Sequence, residues 1–291
     1  MNRKHFLKSL ALLPLAGVTM KLNDLHAMTA PLKRTDTMPL LFVGHGSPMN
    51  AIEQNEFSKG WSVIGKQLPQ PQAILCVSAH WETNGTFVTA MEKPQTIHDF
   101  GGFPEELYAV EYPAPGSPEL AQQTKEIVKK AAVELDQQWG LDHGCWSVVK
   151  HMYPDADVPV IQLSIDRTKP AQWHYELAQD LAALRKKGVL ILGSGNMVHN
   201  LRLIDWRHPG NTFDWAAEMN AALKQRIAKN EHRDLIQYQS LGNAATLAIP
   251  TPEHYLPMLY TLGLKTKNED VEFFNDKTLM GSISMTSFRV G

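Results

Sequence analysis

Four short runs of apolar residues, each followed by glycine or serine, constrain the fold of this chain most strongly. They cover residues 40–43, 73–77, 158–163 and 189–192. Continuous apolar runs of this length are typical of strands that are buried on both faces of a sheet. The segments between them have the spacing of amphipathic helices. This alternation predicts a single α/β domain, with a mostly parallel central sheet and helices on both faces.

Three helices are predicted from apolar stripes, over residues 118–135, 173–184 and 215–227. Ser117 and Pro118 are typical of a helix N-terminus, as N-cap and first helical residue. The C-terminal residues 281–290 alternate imperfectly and predict an added edge strand. Since no repeat and no linker rich in Pro, Gly or Ser divides the chain, we expect one domain over residues 38–291.

The first 30 residues have the pattern of an export signal. Arg3 and Lys4 precede an apolar run over residues 9–18, which is too short to span a bilayer. The basic start is similar to a twin-arginine signal, with lysine in the second basic position. We therefore expect a periplasmic protein with no stable membrane anchor after signal removal. The alternative is a cytoplasmic protein with an amphipathic N-terminus.

Charge and cysteine content exclude two classes of protein. The formal net charge is −2, so the chain lacks the basic excess of a nucleic-acid-binding protein. Two cysteines, Cys76 and Cys145, are too few for a disulfide framework or a cysteine-rich zinc site. The chain has twelve histidines, and these are the more informative residues.

Four histidines follow apolar runs that are candidate strands. His45, His80 and His199 come after the runs at 40–43, 73–77 and 189–192, and His254 follows a shorter run at 247–249. Ligands of open α/β sheets bind beyond the carboxyl ends of the strands. The four side chains are therefore predicted to meet in one metal site at that edge of the sheet.

The residues near His254 favour a neutral imidazole. Thr251 is a candidate N-cap and Pro252 a candidate first helical residue, so His254 is predicted in the first turn of a short helix. The positive end of a helix disfavours imidazolium, and a neutral ring can bind metal. Imidazole ligands without thiolates suit Zn, Fe, Ni or Cu.

Other catalytic motifs are absent from the sequence. The chain contains no His-Glu-x-x-His zincin motif, and residues 193–197 do not form a Gly-x-Ser-x-Gly nucleophile turn. The same stretch has Val198 where a dinucleotide-binding fingerprint has its third glycine. These absences leave the histidines as the main candidates for the chemistry.

Seven motifs together resemble one known family. They are GHGSPM (44–49), SAHW (78–81), HDFGGFP (98–104), YPAPG (112–116), DHGCW (142–146), GNMVHN (195–200) and PTPEHY (250–255). In this order they resemble the 4,5-DOPA extradiol dioxygenases, which are class III ring-cleaving dioxygenases related to the protocatechuate 4,5-dioxygenase catalytic subunit. The resemblance extends from about residue 38 to the C-terminus.

The resemblance implies one divalent metal per chain, Fe(II) in the active enzyme and often Zn(II) in the isolated protein. By motif position, His45, His80 and His254 are the implied ligands. His199 is implied as a fourth ligand or as the acid–base residue. The implied substrates are O2 and a small catechol such as DOPA.

Three further residues are candidates for roles in such a site. His143 is a second candidate acid–base residue. His98, in a loop rich in Gly and Phe, is a candidate substrate contact. Tyr255, next to His254, is another candidate substrate contact, although packing would explain it equally well.

Two other functions are compatible with the same histidines. One is a zinc-dependent hydrolase, which would work with zinc and without O2. The other is a non-catalytic metal-binding protein, which would turn over neither kind of substrate. The protein is expected to be a monomer or a small homo-oligomer.

Overall fold

The apolar runs form the centre of one sheet. The structure is a computed structural model that describes Leu32 and residues 35–291, and the predicted export signal lies outside these residues. Within the described part of the chain the sheet has six strands. In spatial order they are β11 (Val271–Phe274), β14 (Ser287–Val290), β1 (Leu40–Gly44), β10 (Val189–Gly195), β2 (Ala73–Ser78) and β8 (Val160–Gln162).

Strands β1, β10, β2 and β8 are parallel, and β14 is antiparallel to both β1 and β11. The prediction of a mostly parallel sheet is therefore confirmed. The prediction that residues 281–290 add an edge strand was wrong in one respect. Strand β14 is paired on both sides, because the half-buried strand β11 lies outside it.

Eight shorter strands form two-stranded pairs around this sheet. In the described residues they are β3 (Glu82–Thr83) with β9 (Ile165–Asp166), β4 (Thr86–Thr89) with β6 (Val133–Asp136), β5 (Gln95–Thr96) with β7 (Gly140–Leu141), and β12 (Thr278–Leu279) with β13 (Ile283–Ser284).

Ten α-helices and three 3-10 helices connect the strands in residues 35–291. The α-helices are α1 (Glu56–Gln67), α2 (Glu105–Tyr108), α3 (Pro118–Ile127), α4 (His143–Met152), α5 (Ala171–Asp180), α6 (Ala182–Arg185), α7 (Asp214–Lys229), α8 (His232–Ile236), α9 (Asn243–Ala248) and α10 (Leu256–Leu264). The 3-10 helices are Pro48–Ala51, Leu201–Leu203 and Tyr238–Leu241.

The apolar core lies on both faces of the sheet. Successive side chains of a strand point to opposite faces, so Leu40 and Phe42 of β1 pack in one cluster and Leu41 and Val43 in another. The first cluster also contains apolar side chains of α5, α7 and α10, and the second those of α1 and α4. Helices therefore cover both faces, as predicted.

Two helix predictions needed correction. Helix α3 begins at Pro118, with the Ser117 side chain accepting a hydrogen bond from the Leu120 backbone N–H, but it ends at Ile127. Leu135, which we predicted on its apolar face, lies in β6. The predicted helix over residues 173–184 is divided between α5 and α6, which separate at Leu181. The spacing of apolar residues alone does not show where a helix ends.

In the described residues, none of the helices combines the length and the apolar character required to cross a lipid bilayer.

Candidate metal centre

Three of the predicted histidines follow three adjacent strands. His45 comes directly after β1, His80 two residues after β2, and His199 four residues after β10. Strand β10 lies between β1 and β2 and is parallel to both. The carboxyl ends of the three strands therefore meet at one edge, where ligands of α/β sheets bind.

His254 reaches the same edge by a different route. The apolar run at 247–249, which we predicted as a strand, lies in and just after helix α9, so that prediction was wrong. A short apolar run does not distinguish a strand from a buried helix segment. His254 lies in a turn in which Pro252 O accepts hydrogen bonds from the N–H groups of Tyr255 and Leu256. Helix α10 begins at Leu256 rather than at Pro252.

A glycine allows the His254 turn to lie close to β10. The backbone N–H of Asn196 donates to His254 O at 2.8 Å. A Cβ atom on Gly195 would lie only 2.1 Å from the same oxygen. A residue with a side chain would therefore displace the turn that carries His254.

His45, His80 and His254 form a compact triangle. Their ring centroids are 5.0 Å apart for His45 and His80, 5.3 Å for His45 and His254, and 5.0 Å for His80 and His254. Three side chains from distant parts of the sequence therefore converge on one point, as the prediction of a single metal site requires.

Each ring of this triangle has its Nδ1 atom against an oxygen. His45 Nδ1 lies 3.0 Å from Ser194 Oγ, His80 Nδ1 lies 3.2 Å from Asp99 Oδ2, and His254 Nδ1 lies 3.1 Å from Glu253 Oε1. The Ser194 hydroxyl donates its own hydrogen to Gly144 O, so it accepts from His45. Carboxylates are acceptors only. These acceptors favour the tautomer of each neutral ring that has its proton on Nδ1.

This tautomer leaves the Nε2 lone pairs free for a cation. Nε2 of His45 lies 3.1 Å from Nε2 of His80, so two electron pairs face each other with no proton between them. Metal-bound histidines characteristically direct the other ring nitrogen to a carboxylate, carbonyl or other acceptor. The donor set and its outer partners thus fit a divalent metal ion.

Burial keeps these rings neutral. It lowers the pKa of His80 to about 3 and the pKa of His199 to about 4, with neighbouring imidazoles acting in the same direction. The pKa values of His45 and His254 are also well below the usual value, again mainly through burial. Neutral imidazole is the form that binds metal.

Asp99 connects His80 with a further histidine, His143. Its Oδ2 lies 3.0 Å from Nδ1 of His143, and its Oδ1 accepts a hydrogen bond from the His143 backbone N–H at 2.9 Å. His143 begins helix α4, and its ring centroid is 3.9 Å from that of His80. The structure therefore brings this predicted catalytic residue to the triangle.

Asp99 itself was missed in the sequence. It lies in the HDFGGFP motif, where we selected the neighbouring His98 instead. The only local signal for Asp99 was its position as an acidic residue in a loop near histidines. Its partner His143 is 44 positions away in the sequence, so no local pattern links the two. Ser194 was missed for a similar reason, since its role depends on the tertiary contact with His45.

His199 lies against His254. The two rings are stacked, with centroids 3.5 Å apart and planes inclined by 10°. In the described residues the potential metal-ligand atoms form two groups, each with its atoms within 4.8 Å of one another: His45 with His80 and His143, and His199 with Glu253 and His254. The two groups are adjacent, because the His254 ring lies 5.3 Å from that of His45 and 5.0 Å from that of His80.

These five histidines line a cavity of about 620 Å³. Phe100 and Phe103, from the loop rich in Gly and Phe, also line it, as do Met285 and the exposed Trp206. A small aromatic ligand therefore has both an apolar wall and a group of metal-binding nitrogens within one enclosure.

The other two predicted substrate contacts, His98 and Tyr255, are absent from the cavity wall formed by the described residues. His98 Nε2 contacts Val110 O at 2.9 Å. Tyr255 is fully buried in the core, and its hydroxyl donates to Leu235 O at 2.7 Å. The geometry supports packing roles for both rings.

Comparison with known proteins agrees with the site geometry. Residues 39–291 match the family described as the catalytic LigB subunit of aromatic ring-opening dioxygenase. The chain is 50% identical to a 4,5-DOPA dioxygenase extradiol of Escherichia coli K12, over 87% of this chain and 95% of that protein. It is 35% identical to a 4,5-DOPA dioxygenase extradiol of Beta vulgaris, over 85% and 94%.

The fold is also similar to a solved structure. A crystal structure of an uncharacterized Escherichia coli K12 protein superposes with a TM-score of 0.77 at 46% identity, covering 87% of this chain and all of that one. These matches confirm the resemblance noted in the motifs. The chain therefore belongs to the LigB family of aromatic ring-opening dioxygenases, and it is a ring-cleaving enzyme of that family.

Proposed function

We propose that this protein is an Fe(II)-dependent extradiol dioxygenase that opens the ring of a small catechol, such as DOPA, with O2. The observation that supports it most is the 3.1 Å approach of Nε2 of His45 to Nε2 of His80 in the wall of a cavity that is open to solvent. The names of the relatives from Escherichia coli and Beta vulgaris support DOPA as the first catechol to test.

In this proposal His45, His80 and His254 hold the metal through Nε2, and His199 lies beside it as a fourth ligand or a proton carrier. Bound Fe(II) would supply Lewis acidity towards the catechol hydroxyls and the electron transfer to O2 that Zn(II) lacks. A zinc-loaded sample is therefore expected to bind the catechol without turning it over.

His143 is well placed to move a proton. Asp99 lies against its Nδ1, which leaves Nε2 as the nitrogen that exchanges a proton with a ligand in the cavity. A carboxylate that holds one imidazole nitrogen fixes the tautomer and orientation of a general base. His143 would accept a catechol proton and later return it to an oxygen of the opening ring.

Phe100, Phe103 and Met285 provide the apolar part of the enclosure. They line the same cavity as the histidines. We propose that they hold the face of the aromatic ring and exclude water from the reacting carbons.

The experiment is oxygen uptake after anaerobic loading with Fe(II). We expect DOPA-dependent oxygen consumption together with a yellow ring-opened product, and no consumption by the zinc-loaded protein. The His254→Ala variant should lose both metal content and activity, whereas His208→Ala, at an exposed histidine, should keep both. Absence of oxygen uptake with a broad panel of catechols would contradict the proposal, and hydrolysis by the zinc form would favour the hydrolase alternative.

A further inference from the structure

We propose that the cavity selects catechols whose side chain ends in a cationic amine, and that Glu53 is the residue that contacts this amine. The inference rests on the proposed function, because it concerns which catechol the same cavity accepts. It distinguishes aminoalkyl catechols from catechols whose side chain carries only a carboxylate.

The charges around the cavity support this selection. Among the described residues that line it, the carboxylates are those of Glu53 and Asp99, and neither Lys nor Arg contributes to the wall. Asp99 is already engaged with His80 and His143. Glu53 is exposed to solvent, so it is the carboxylate that a substrate side chain can meet.

A chain of hydrogen bonds fixes Glu53 relative to the histidine triangle. Asn50 Nδ2 donates to His45 O at 3.0 Å, and Asn55 Nδ2 donates to Asn50 Oδ1 at 2.8 Å. The same Asn55 amide donates to Glu53 Oε2 at 3.2 Å. The Glu53 carboxylate is thus connected to the backbone of His45 through two asparagine side chains.

Helix α1 determines which way the Asn55 amide faces. Its Oδ1 accepts hydrogen bonds from the backbone N–H groups of Phe57 and Ser58, both at 3.0 Å, as the N-cap of the helix. The amide nitrogen must therefore face Asn50 and Glu53. One Glu53 oxygen is thus held by Asn55, and the carboxylate has a second oxygen that can accept a hydrogen bond from a cation in the cavity.

The basic residues that are near cavity-wall residues in the sequence do not themselves line the cavity. Arg202 and Arg207 are neighbours of the wall residues Leu201 and Trp206, but neither arginine contributes to the wall. Lys277 lies 2.6 Å from Glu56, with which it forms an ion pair. A substrate carboxylate at this end of the cavity would thus meet a like charge and no Lys or Arg among the described wall residues, whereas an ammonium group would form a charge-assisted hydrogen bond with Glu53.

The apolar wall fits the rest of such a substrate. Phe100 and Phe103 provide aromatic surface for the ring and its alkyl chain, and the exposed indole of Trp206 lines the same cavity. Indole is the aromatic side chain that attracts cations most strongly through its face. Both the charge and the aromatic lining therefore favour an amine.

The experiment compares kcat/KM for dopamine, DOPA, 3-(3,4-dihydroxyphenyl)propionate and the neutral 4-ethylcatechol, measured by oxygen uptake with the Fe(II)-loaded enzyme. We expect kcat/KM to be highest for dopamine, intermediate for DOPA and 4-ethylcatechol, and lowest for the propionate. The ratio of kcat/KM for dopamine to that for 4-ethylcatechol should fall about two- to fivefold in Glu53→Gln, the size expected for an ion pair at an exposed carboxylate. It should stay constant in Glu56→Gln, whose side chain pairs with Lys277 outside the cavity.

Calorimetric titration of the zinc-loaded protein provides a second readout that does not depend on turnover. Dopamine should bind more tightly than the propionate, and added salt should reduce the difference because it screens an exposed charge. An unchanged ratio in Glu53→Gln, or a preference for the propionate over 4-ethylcatechol, would overturn the inference. Absence of turnover with every catechol, 4-ethylcatechol included, would instead contradict the proposed function.

Discussion

The Asp99 carboxylate holds His143 by two contacts, one to the ring and one to the backbone. Oδ2 lies 3.0 Å from Nδ1 of His143, and Oδ1 accepts from the His143 N–H at 2.9 Å. Because Oδ2 also lies 3.2 Å from Nδ1 of His80, one carboxylate orients both a proposed ligand and a proposed proton carrier. Its replacement should therefore affect metal binding and catalysis together.

We expect Asp99→Asn to lower metal affinity about 10- to 100-fold, the usual effect of losing an outer partner of a ligating histidine. kcat should also fall at saturating metal, because an amide no longer fixes the His143 tautomer. Competition with a chelator measures the affinity. Asp234→Asn is a control, since the Asp234 side chain is half exposed, pairs with Arg226 and does not line the cavity. Equal effects of the two substitutions would contradict the role given to Asp99.

Ser194 orients His45 in a similar way. Its hydroxyl accepts from Nδ1 of His45 and donates to Gly144 O. Ser194→Ala removes the acceptor and allows the ring to adopt the other tautomer. We expect a decrease in metal affinity of about tenfold and a loss of about 1–2 kcal/mol in unfolding free energy. Wild-type affinity in the chelator assay would refute this role.

Gly195 provides a structural test of how His254 is positioned. In Gly195→Ala the new methyl group would lie 2.1 Å from His254 O. We expect the turn to shift, metal affinity to fall, and unfolding free energy to decrease by about 1–3 kcal/mol, as for other overpacked sites. Gly210→Ala is the control, because an added Cβ there meets open space. Urea denaturation with and without metal separates the loss of metal affinity from the loss of stability of the metal-free protein.

The ion pair between Arg185 and Glu269 predicts how stability depends on pH. Burial by itself raises the pKa of Glu269, but hydrogen bonds from Arg185 and Thr266 outweigh this and lower the pKa below its ordinary value of 4.5. The folded state thus favours the ionised carboxylate. Its stabilisation is fully present above the unfolded pKa and is lost as the pH falls through the folded value.

Glu269→Gln should therefore cost about 2 kcal/mol at neutral pH, the range for a hydrogen bond to a charged group. The difference from wild type should shrink as the pH falls below the ordinary glutamate value. Urea denaturation of both proteins, at neutral pH and below the ordinary glutamate pKa, measures this difference in unfolding free energy. The more exposed pair between Glu272 and Arg289 serves as control. A difference that grows in acid would contradict the assigned sign.

The sequence predicted the sheet well because its signal is local. The runs that became β1, β2 and β10 are apolar throughout, and the run that became β8 has Gln162 as its one polar residue. An apolar run bounded by Gly or Ser has few alternatives of its length. The prediction at 247–249 was wrong because three apolar residues are too few to distinguish a strand from a helix. Strand β11 was missed because its residues are largely half-buried and lack a clear apolar face.

The sequence predicts only those site residues that directly follow a recognisable strand. His45, His80 and His199 follow strands that the sequence identifies, and parallel strands end at one edge of a sheet. Asp99 and Ser194 gain their roles through contacts with residues far away in the sequence, which no local pattern encodes. Tyr255 is adjacent to His254 but points into the core, since successive residues of a turn face different directions.

The central claim is that Nε2 atoms of His45, His80 and His254 share one metal ion. Anomalous X-ray diffraction from crystals of the metal-loaded protein, recorded at the absorption edge of that metal, tests it most directly. We predict one strong peak per chain, about 2.0–2.2 Å from each of the three Nε2 atoms. A peak at Nδ1 atoms or elsewhere in the protein, or none in crystals that contain stoichiometric metal, would contradict the account.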